Sequence, residues 1–457
     1  MSHTDTSGCP PHELHAQVEF STGQPKEGSP ETEFRQEPDA AFFRKFFNDK
    51  LTFPDGFEAE IWGFEDETSG RGLPSPPIRA HEDDIVHVEL KPAKGPHTIH
   101  MHGIEPDPRN DGAGHTSFEV TGSYTYQFRA QPGLPGDPGS GTAGTYFYHC
   151  HVNTVLHVQM GMFGPLIIDP PQGRGMAFAD DPVGYDPRAE TLIVPFAVDP
   201  RWHDLSHAAG LDGEDVGLNR FEPSHFYLLG ADLNKPWPST PVKTVGRIAA
   251  TAAPDLPALL RVNNATYFPT NIRFHGGLKA EVISHDGRPL RDTSVTPSPP
   301  VDVLTDIVGF GAAERYDMRL RPPADAKPGD TFGISVEWVH WVTNEVIHTE
   351  TREVVVLDPD TAGGRTTPGG GAVEGAPAPG ATASETPAPG APAAPATPGA
   401  PVTPAGPAKP GPSAGSRARV TRPAKRKRRL APKPRTKPAR PARNSPRSRL
   451  RRPRRKR

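Results

Sequence analysis

Only two cysteines, Cys9 and Cys150, occur in 457 residues, too few for a disulfide framework. No apolar stretch is long enough to span a bilayer, so no membrane span is expected. Met1 to Phe20 has neither an apolar core of the kind a secretory signal needs nor paired arginines. The default expectation is a cytoplasmic protein, and a misassigned start would open the cell envelope instead. Acidic residues are missing from one region. From Ser416 to Arg457 there are 21 of the 51 basic residues and none of the 54 acidic ones. The rest of the chain holds 30 basic against 54 acidic residues, a net charge of −24. An acidic body therefore carries a polycationic tail, which suits contact with a polyanion or nucleic acid through counterion release.

Residues 1–39 are polar and rich in Pro, Glu and Ser, and read as a flexible extension in which Cys9, His3, His12 and His15 are solvated side chains. The pattern over 40–172 is all-β. Ser123 to Phe128 alternates and sets Tyr124, Tyr126 and Phe128 on one face, and Asp84–Leu90 and Gly164–Asp169 read as further strands. Many short strands joined by Pro/Gly-rich turns argue for a sandwich. Residues 188–359 read as a second β domain and a weak repeat of the first. Leu166-Ile-Ile-Asp-Pro170 matches Val355-Val-Leu-Asp-Pro359 at an offset of 189, and Thr98-Ile-His-Met-His-Gly103 resembles Asn271-Ile-Arg-Phe-His-Gly276. Residues 360–415 are Ala/Pro/Gly/Thr-rich and read as an extended linker. The basic tail, 416–457, is expected to be disordered.

Two clusters carry chemistry. The first is His97-Thr-Ile-His100-Met-His102-Gly; the second is Tyr146-Phe-Tyr-His149-Cys150-His151, followed by His157 and Met160-Gly-Met162. Strand side chains alternate with a period of two. His149 and His151 then share a face opposite to Cys150, and His100 and His102 share a face while His97 has the other parity. Two metal environments follow. Cys150, His97, His157 and a methionine make a His₂Cys set with a weak thioether, the composition of a blue-copper site. His100, His102, His149 and His151 offer four imidazoles without a thiolate, suited to copper that meets a small molecule. Cys150 lies between two of those histidines in the chain, a short covalent route for an electron.

The clusters resemble the HxxHxH and HCH motifs of multicopper oxidases such as laccases. The resemblance implies two cupredoxin-like Greek-key β-sandwiches. It further implies type 1 copper at His97, Cys150, His157 and Met162, with Met162 rather than Met160 chosen by its spacing from His157. Type 2/3 copper would be held by His100, His102, His149 and His151, which also form the catalytic centre. One spacing departs: His157 follows Cys150 by seven residues, where laccases have five.

The second domain departs further. By the offset of 189, His149, Cys150 and His151 fall on Trp338, Val339 and His340, and by the resemblance of 98–103 to 271–276, His100 and His102 fall on Arg273 and His275. Single histidines, His275 and His340, resemble the second domain of copper nitrite reductases, and the resemblance implies a homotrimer in which a neighbouring subunit supplies both. Arg273 and Trp338 would then sit beside the centre. The expected function is electron uptake at type 1 copper and reduction of dioxygen at an interdomain copper centre, with one or two coppers besides type 1. Nitrite reduction and non-catalytic copper binding or electron transfer are the alternatives, and the donor is a small molecule or metal ion. His203, His207, His225, His285 and His348 have no partner spacing and read as structural or surface residues.

Overall fold

A computed structural model describes residues 16–20, 24–27, 37–92, 94–113 and 118–358. Cys9, His3, His12, His15, the linker and the basic tail lie outside the described residues. Within them the chain is β throughout, apart from one six-residue α-helix, Thr154–Gln159, and short 3-10 turns. No helix among them is long and apolar enough to cross a membrane.

The first half builds two sheets. One has the order Gln24–Glu27, Ala16–Phe20, Phe118–Arg129, Ile85–Lys91, Ala40–Thr52, Glu58–Glu65; the other runs Ile78–His81, Phe163–Asp169, Gly144–His149, His100–His102. Phe46, Ile78, Val86, Val88, Tyr126, Tyr148 and Leu166 fill the space between them. Tyr124, Tyr126 and Phe128 are buried together, as their alternation implies.

The second half repeats the plan. Its larger sheet places His225–Asp232, Glu190–Val198, Ala258–Asn263 and Arg315–Arg321 side by side, and its smaller sheet runs Arg247–Ala250, Val346–Val356, Thr331–Val339, Thr270–His275, Ile307–Phe310. Pair by pair the directions agree. Ala40–Thr52 runs parallel to Ile85–Lys91 as Glu190–Val198 does to Ala258–Asn263, and Ile78–His81 runs parallel to Phe163–Asp169 as Arg247–Ala250 does to Val346–Val356. The weak sequence repeat is thus a repeat of architecture, two Greek-key sandwiches. At one edge they differ. Lys279–His285 lies beside Arg315–Arg321 in the second sandwich, whereas the corresponding strand of the first, Phe118–Arg129, is flanked by Ala16–Phe20. Part of the segment expected to be a flexible extension therefore satisfies the backbone groups of a sheet edge.

The two sandwiches are joined by apolar and ionic contacts. Glu190–Val198 reads ETLIVPFAV and is buried along its whole length, the signature of a strand covered on both faces. Ile193 and Ala197 enter the second core, while Leu192, Val194, Phe196 and Val198 pack with Leu51, Ile61, Leu73, Phe147 and Phe163 of the first sandwich. Beside this seam Glu190 accepts from Arg261 (2.7 Å), Arg174 (2.8 Å) and Arg79 (3.1 Å), and Arg79 also binds Asp169 (2.6 Å). Arg261 donates to Thr145 Oγ1 and pairs with Asp317. These arginines hold the Glu190 carboxyl down at about 2 against the upward push of burial.

Candidate metal centres

The hairpin Gly144–His149 and Phe163–Asp169 delivers the first donor set. Every residue of Gly144–His149 is buried, and Tyr148 is tied by its hydroxyl to Pro76 O (2.6 Å). The strand ends at His149, and the following loop is pinned at both sides: Cys150 N donates to Met162 O (3.0 Å) and Met162 N to His157 O (3.0 Å). Between these bonds Asn153, in the left-handed region at φ 43°, starts the helix Thr154–Gln159. That helical turn absorbs the longer spacing between Cys150 and His157 and brings His157 Nδ1 to 3.3 Å from Cys150 Sγ. His97 arrives from the other side, bridged to Val120 through both backbone bonds, with its Nδ1 3.6 Å from Sγ and Phe46 stacked on its ring.

Hydrogen bonds set the tautomers. A carbonyl can only accept. His97 Nε2 faces Lys94 O (3.1 Å) and His157 Nε2 faces His207 O (3.2 Å), so both Nε2 atoms carry the proton. Both Nδ1 lone pairs are left pointing to the thiol. His97, Cys150 and His157 are fully buried, and Met160 and Met162 are buried in the same core. Burial, with neighbouring imidazoles, drives His97 well below 6.5 and His157 down to about 3, and pushes the Cys150 thiol up to about 12. Two neutral imidazoles and a sulfur converging in a dry pocket fit a soft, thiophilic cation, which would displace the thiol proton on binding.

The second set forms where His100–His102 pairs with Gly144–His149. His100 lies directly opposite His149. His149 Nδ1 donates to Cys150 O (2.9 Å) and His100 Nδ1 to Asp111 O (2.7 Å), which turns both Nε2 lone pairs to the cluster. His102 Nδ1 is 3.2 Å from His149 Nε2, and the His151 ring lies 5.2 Å from that of His100. Donor atoms of His100, His102 and His149 all fall within 4.8 Å of one another. Burial, the neighbouring Arg315 charge and the other imidazoles bring His102 down to about 3, and burial lowers His149 well below 6.5. Seven of the eight first-domain residues singled out by motif thus gather into two adjoining groups, and Met162 is buried in the same core with its backbone bonded to Cys150 and His157.

Four contributors were missed. His207, read as structural or surface, stands against the first set with its Nε2 3.3 Å from His97 Nε2. Asp111 and Glu105 approach the two ring nitrogens of His100 at 3.3 and 3.6 Å, and burial raises the Asp111 carboxyl. Arg315, from the second sandwich, is the buried cation whose charge bears on His102. Asp111 lies close enough in sequence to have been suspected. His207 and Arg315 carry no signal in spacing, because they come from distant segments.

The second domain corrects the alignment. Arg273 faces Ser335 as His100 faces His149, so Ser335, not Trp338, stands where His149 does. His340 is therefore not the counterpart of His151. Its Nδ1 accepts from Val342 N and Thr343 N and caps a turn, while His275 is exposed and bonded to Ser335 Oγ (2.8 Å). His275 pairs with Gly333, seven residues along the strand from His340, a separation of about 20 Å at the rise of a β-strand. The two cannot reach one centre together, whether in this subunit or a neighbour's. Arg273 is paired with Glu337, and Trp338 is fully buried beside Phe226 in its own sandwich, so neither is placed to line the cluster as expected. Among the described residues, every group of three or more potential metal donors lies in the first sandwich.

Comparison with known proteins agrees with this division. Residues 48–173 match the multicopper oxidase family model. An L-ascorbate oxidase of Cucumis sativus is 33% identical over 175 residues, 36% of this chain and 24% of that protein. Copper resistance protein A of Pseudomonas syringae pv. tomato is 37% identical over 102 residues, 21% of this chain and 15% of that protein. The matched stretches span about a quarter or less of those relatives. Among solved structures, a blue copper oxidase from Nitrosomonas europaea aligns with a TM-score of 0.48 at 22% identity, covering 69% of this chain and 86% of that one. The stretch 48–173, which contains both donor sets, is thus similar to the domain described by the multicopper oxidase family model.

Proposed function

We propose that this chain is a copper-dependent oxidoreductase. A reducing small molecule or metal ion gives up electrons at the Cys150 site, and dioxygen is reduced at the histidine cluster. The carrying observation is the position of Cys150: its sulfur meets His97 and His157, while its chain neighbours His149 and His151 belong to the other group. The bond from His149 Nδ1 to Cys150 O adds a second short link between the sites. Copper at both sites would supply the one-electron steps by which four electrons and four protons convert dioxygen to two waters.

The protein's part is to hold donors in place. His97, His157 and Cys150 present two lone pairs and a sulfur, with no proton on the Nδ1 atoms that face the sulfur, and Met162 would add a weak thioether donor. His100, His102, His149 and His151 hold the second centre. Four imidazoles suit one or two ions, and the buried Arg315 charge beside His102 disfavours a further cation. Two or three coppers per chain are expected. Assembly into a homotrimer belongs to the same proposal, although His275 and His340 no longer serve as its shared ligands.

The test is copper content with an electron paramagnetic resonance spectrum, joined to oxygen uptake with a phenol or a reduced metal ion as donor. Oxygen consumption in step with donor oxidation supports the reading. Nitric oxide from nitrite without oxygen uptake would assign the other acceptor, and bound copper with neither reaction would leave an electron carrier.

A further inference from the structure

His207 belongs by sequence to the second domain, yet it is the outermost group over the Cys150 site. The segment that carries it is strapped to the first sandwich on both sides. Trp202 is buried in the first core, His203 Nδ1 donates to Glu60 O (2.6 Å), Gln159 Nε2 reaches His203 Nε2, and Asn153 Nδ2 donates to Ala209 O (2.8 Å). His207 is held between these anchors. Its ring centroid lies 4.4 Å from that of His157, 4.7 Å from that of His97 and 5.5 Å from that of Trp62.

One residue thereby meets the outer edge of both imidazoles. The His207 carbonyl accepts from His157 Nε2 (3.2 Å), and His207 Nε2 lies 3.3 Å from His97 Nε2. Since Lys94 O fixes the proton on His97 Nε2, His207 Nε2 must accept, and the His207 proton sits on Nδ1. The His97 N–H is shared between a carbonyl and an imidazole lone pair. An acceptor behind a ligand's N–H fixes the tautomer and makes the ring a stronger donor to a metal.

We infer that His207 is a positioning residue for the Cys150 site: it holds His97 with Nδ1 free for the metal and strengthens that nitrogen as a donor, so that the second domain tunes the first domain's redox centre. The inference rests on the copper reading only for its redox consequence; the tautomer consequence holds without metal. A stronger nitrogen donor favours the oxidised ion, so losing the acceptor raises the reduction potential.

The experiment uses the full chain as wild type, His207→Leu and His207→Gln, since glutamine can place an accepting oxygen near the position of Nε2. In metal-free wild type, nitrogen NMR should show His207 protonated at Nδ1 and His97 at Nε2. In His207→Leu a fraction of His97 should shift to the other tautomer, and His207→Gln should restore it. In copper-loaded protein, His207→Leu should favour the reduced ion about tenfold at a fixed donor poise, ~59 mV for a one-electron couple, with a changed copper hyperfine splitting. His207→Gln should return most of the way. His207 protonated at Nε2 in the wild type, or a leucine variant with unaltered His97 tautomer, potential and hyperfine splitting, would overturn the inference. A wild type whose tautomers are as stated but which gives no thiolate-copper absorption would sink the copper reading and leave the positioning role standing.

Discussion

Two sandwiches of like strand pairing sit in one chain, and among the described residues only the first gathers three or more potential metal donors at one place. Their backbones pair alike: the register that sets His100 against His149 sets Arg273 against Ser335. Apart from the edge strand, the differences that bear on the donor sets lie in side chains and in one loop. The first sandwich follows its strand with Cys150 and a helical turn that returns His157 to the sulfur. The second continues its strand to Val339 and turns back through a hairpin that His340 caps. The architecture supplies a place where two strands bring four side chains together. Whether that place is a metal centre depends on the residues at four register positions and on how the next loop returns.

The contrast is broken most completely at Cys150. Cys150→Ser should abolish the thiolate-to-copper absorption while the sheets remain folded, since serine differs little in volume. A variant that stays blue would mean that the sulfur is not a ligand. Next comes His100→Ala, which removes one of the two lone pairs facing each other across the strand pair. It should reduce oxygen uptake to background and leave the blue absorption in place, and equal uptake would place oxygen reduction elsewhere.

The seam between the sandwiches can be cut at Glu190, where a carboxylate serves three arginines. Glu190→Ala leaves Arg261 buried and short of a partner, and should cost about 3–5 kcal/mol in denaturant unfolding, the range for breaking a buried ion pair. A loss below about 1 kcal/mol would show that solvent screens the network.

Acid should distinguish the sandwiches as well. His157 and His102 titrate in the folded chain at about 3 rather than 6.5. Between those values the unfolded chain binds more protons, so the stability due to neutral imidazoles is whole above about 6.5 and is lost as pH falls toward 3. His157 alone should cost the metal-free protein about 2 kcal/mol at pH 5, at 1.36 kcal/mol for each unit below 6.5. A flat stability profile from pH 7 to 5 in metal-free protein would contradict this. The smallest effect is expected in the second sandwich. His275→Ala and His340→Ala, singly or together, should leave copper content and spectrum unchanged, with stability changes near 0.5 kcal/mol as for surface sites. Copper loss in either variant would restore that histidine as a ligand.

Sequence and structure agree best where chemistry is local. The parity of His149, Cys150 and His151 follows from strand geometry alone, and these three residues do divide between two donor groups. Alignment of the second domain failed for a physical reason: Thr331–Val339 is longer than its counterpart, and a constant offset carried past Ser335 lands on the turn. Matching histidine to histidine made His340 look like a ligand, while the hydrogen-bond register assigns that position to Glu337.

By itself the sequence determined the fold class, through alternating strands between Pro/Gly turns, and sorted His100, His102, His149, Cys150 and His151 by a strand's two-residue period, while Met162 was singled out only by the resemblance to multicopper oxidases. Tertiary structure alone decided what surrounds them. The Nε2 protons of His97 and His157 are assigned by carbonyls of Lys94 and His207, and the charges near His102 come from a strand more than 200 residues away. Periodicity encodes which way a side chain points from its own strand. It carries no record of which distant segment arrives on the other side, because that choice is made by the burial of Glu190–Val198 and the strap that follows it against the first sandwich.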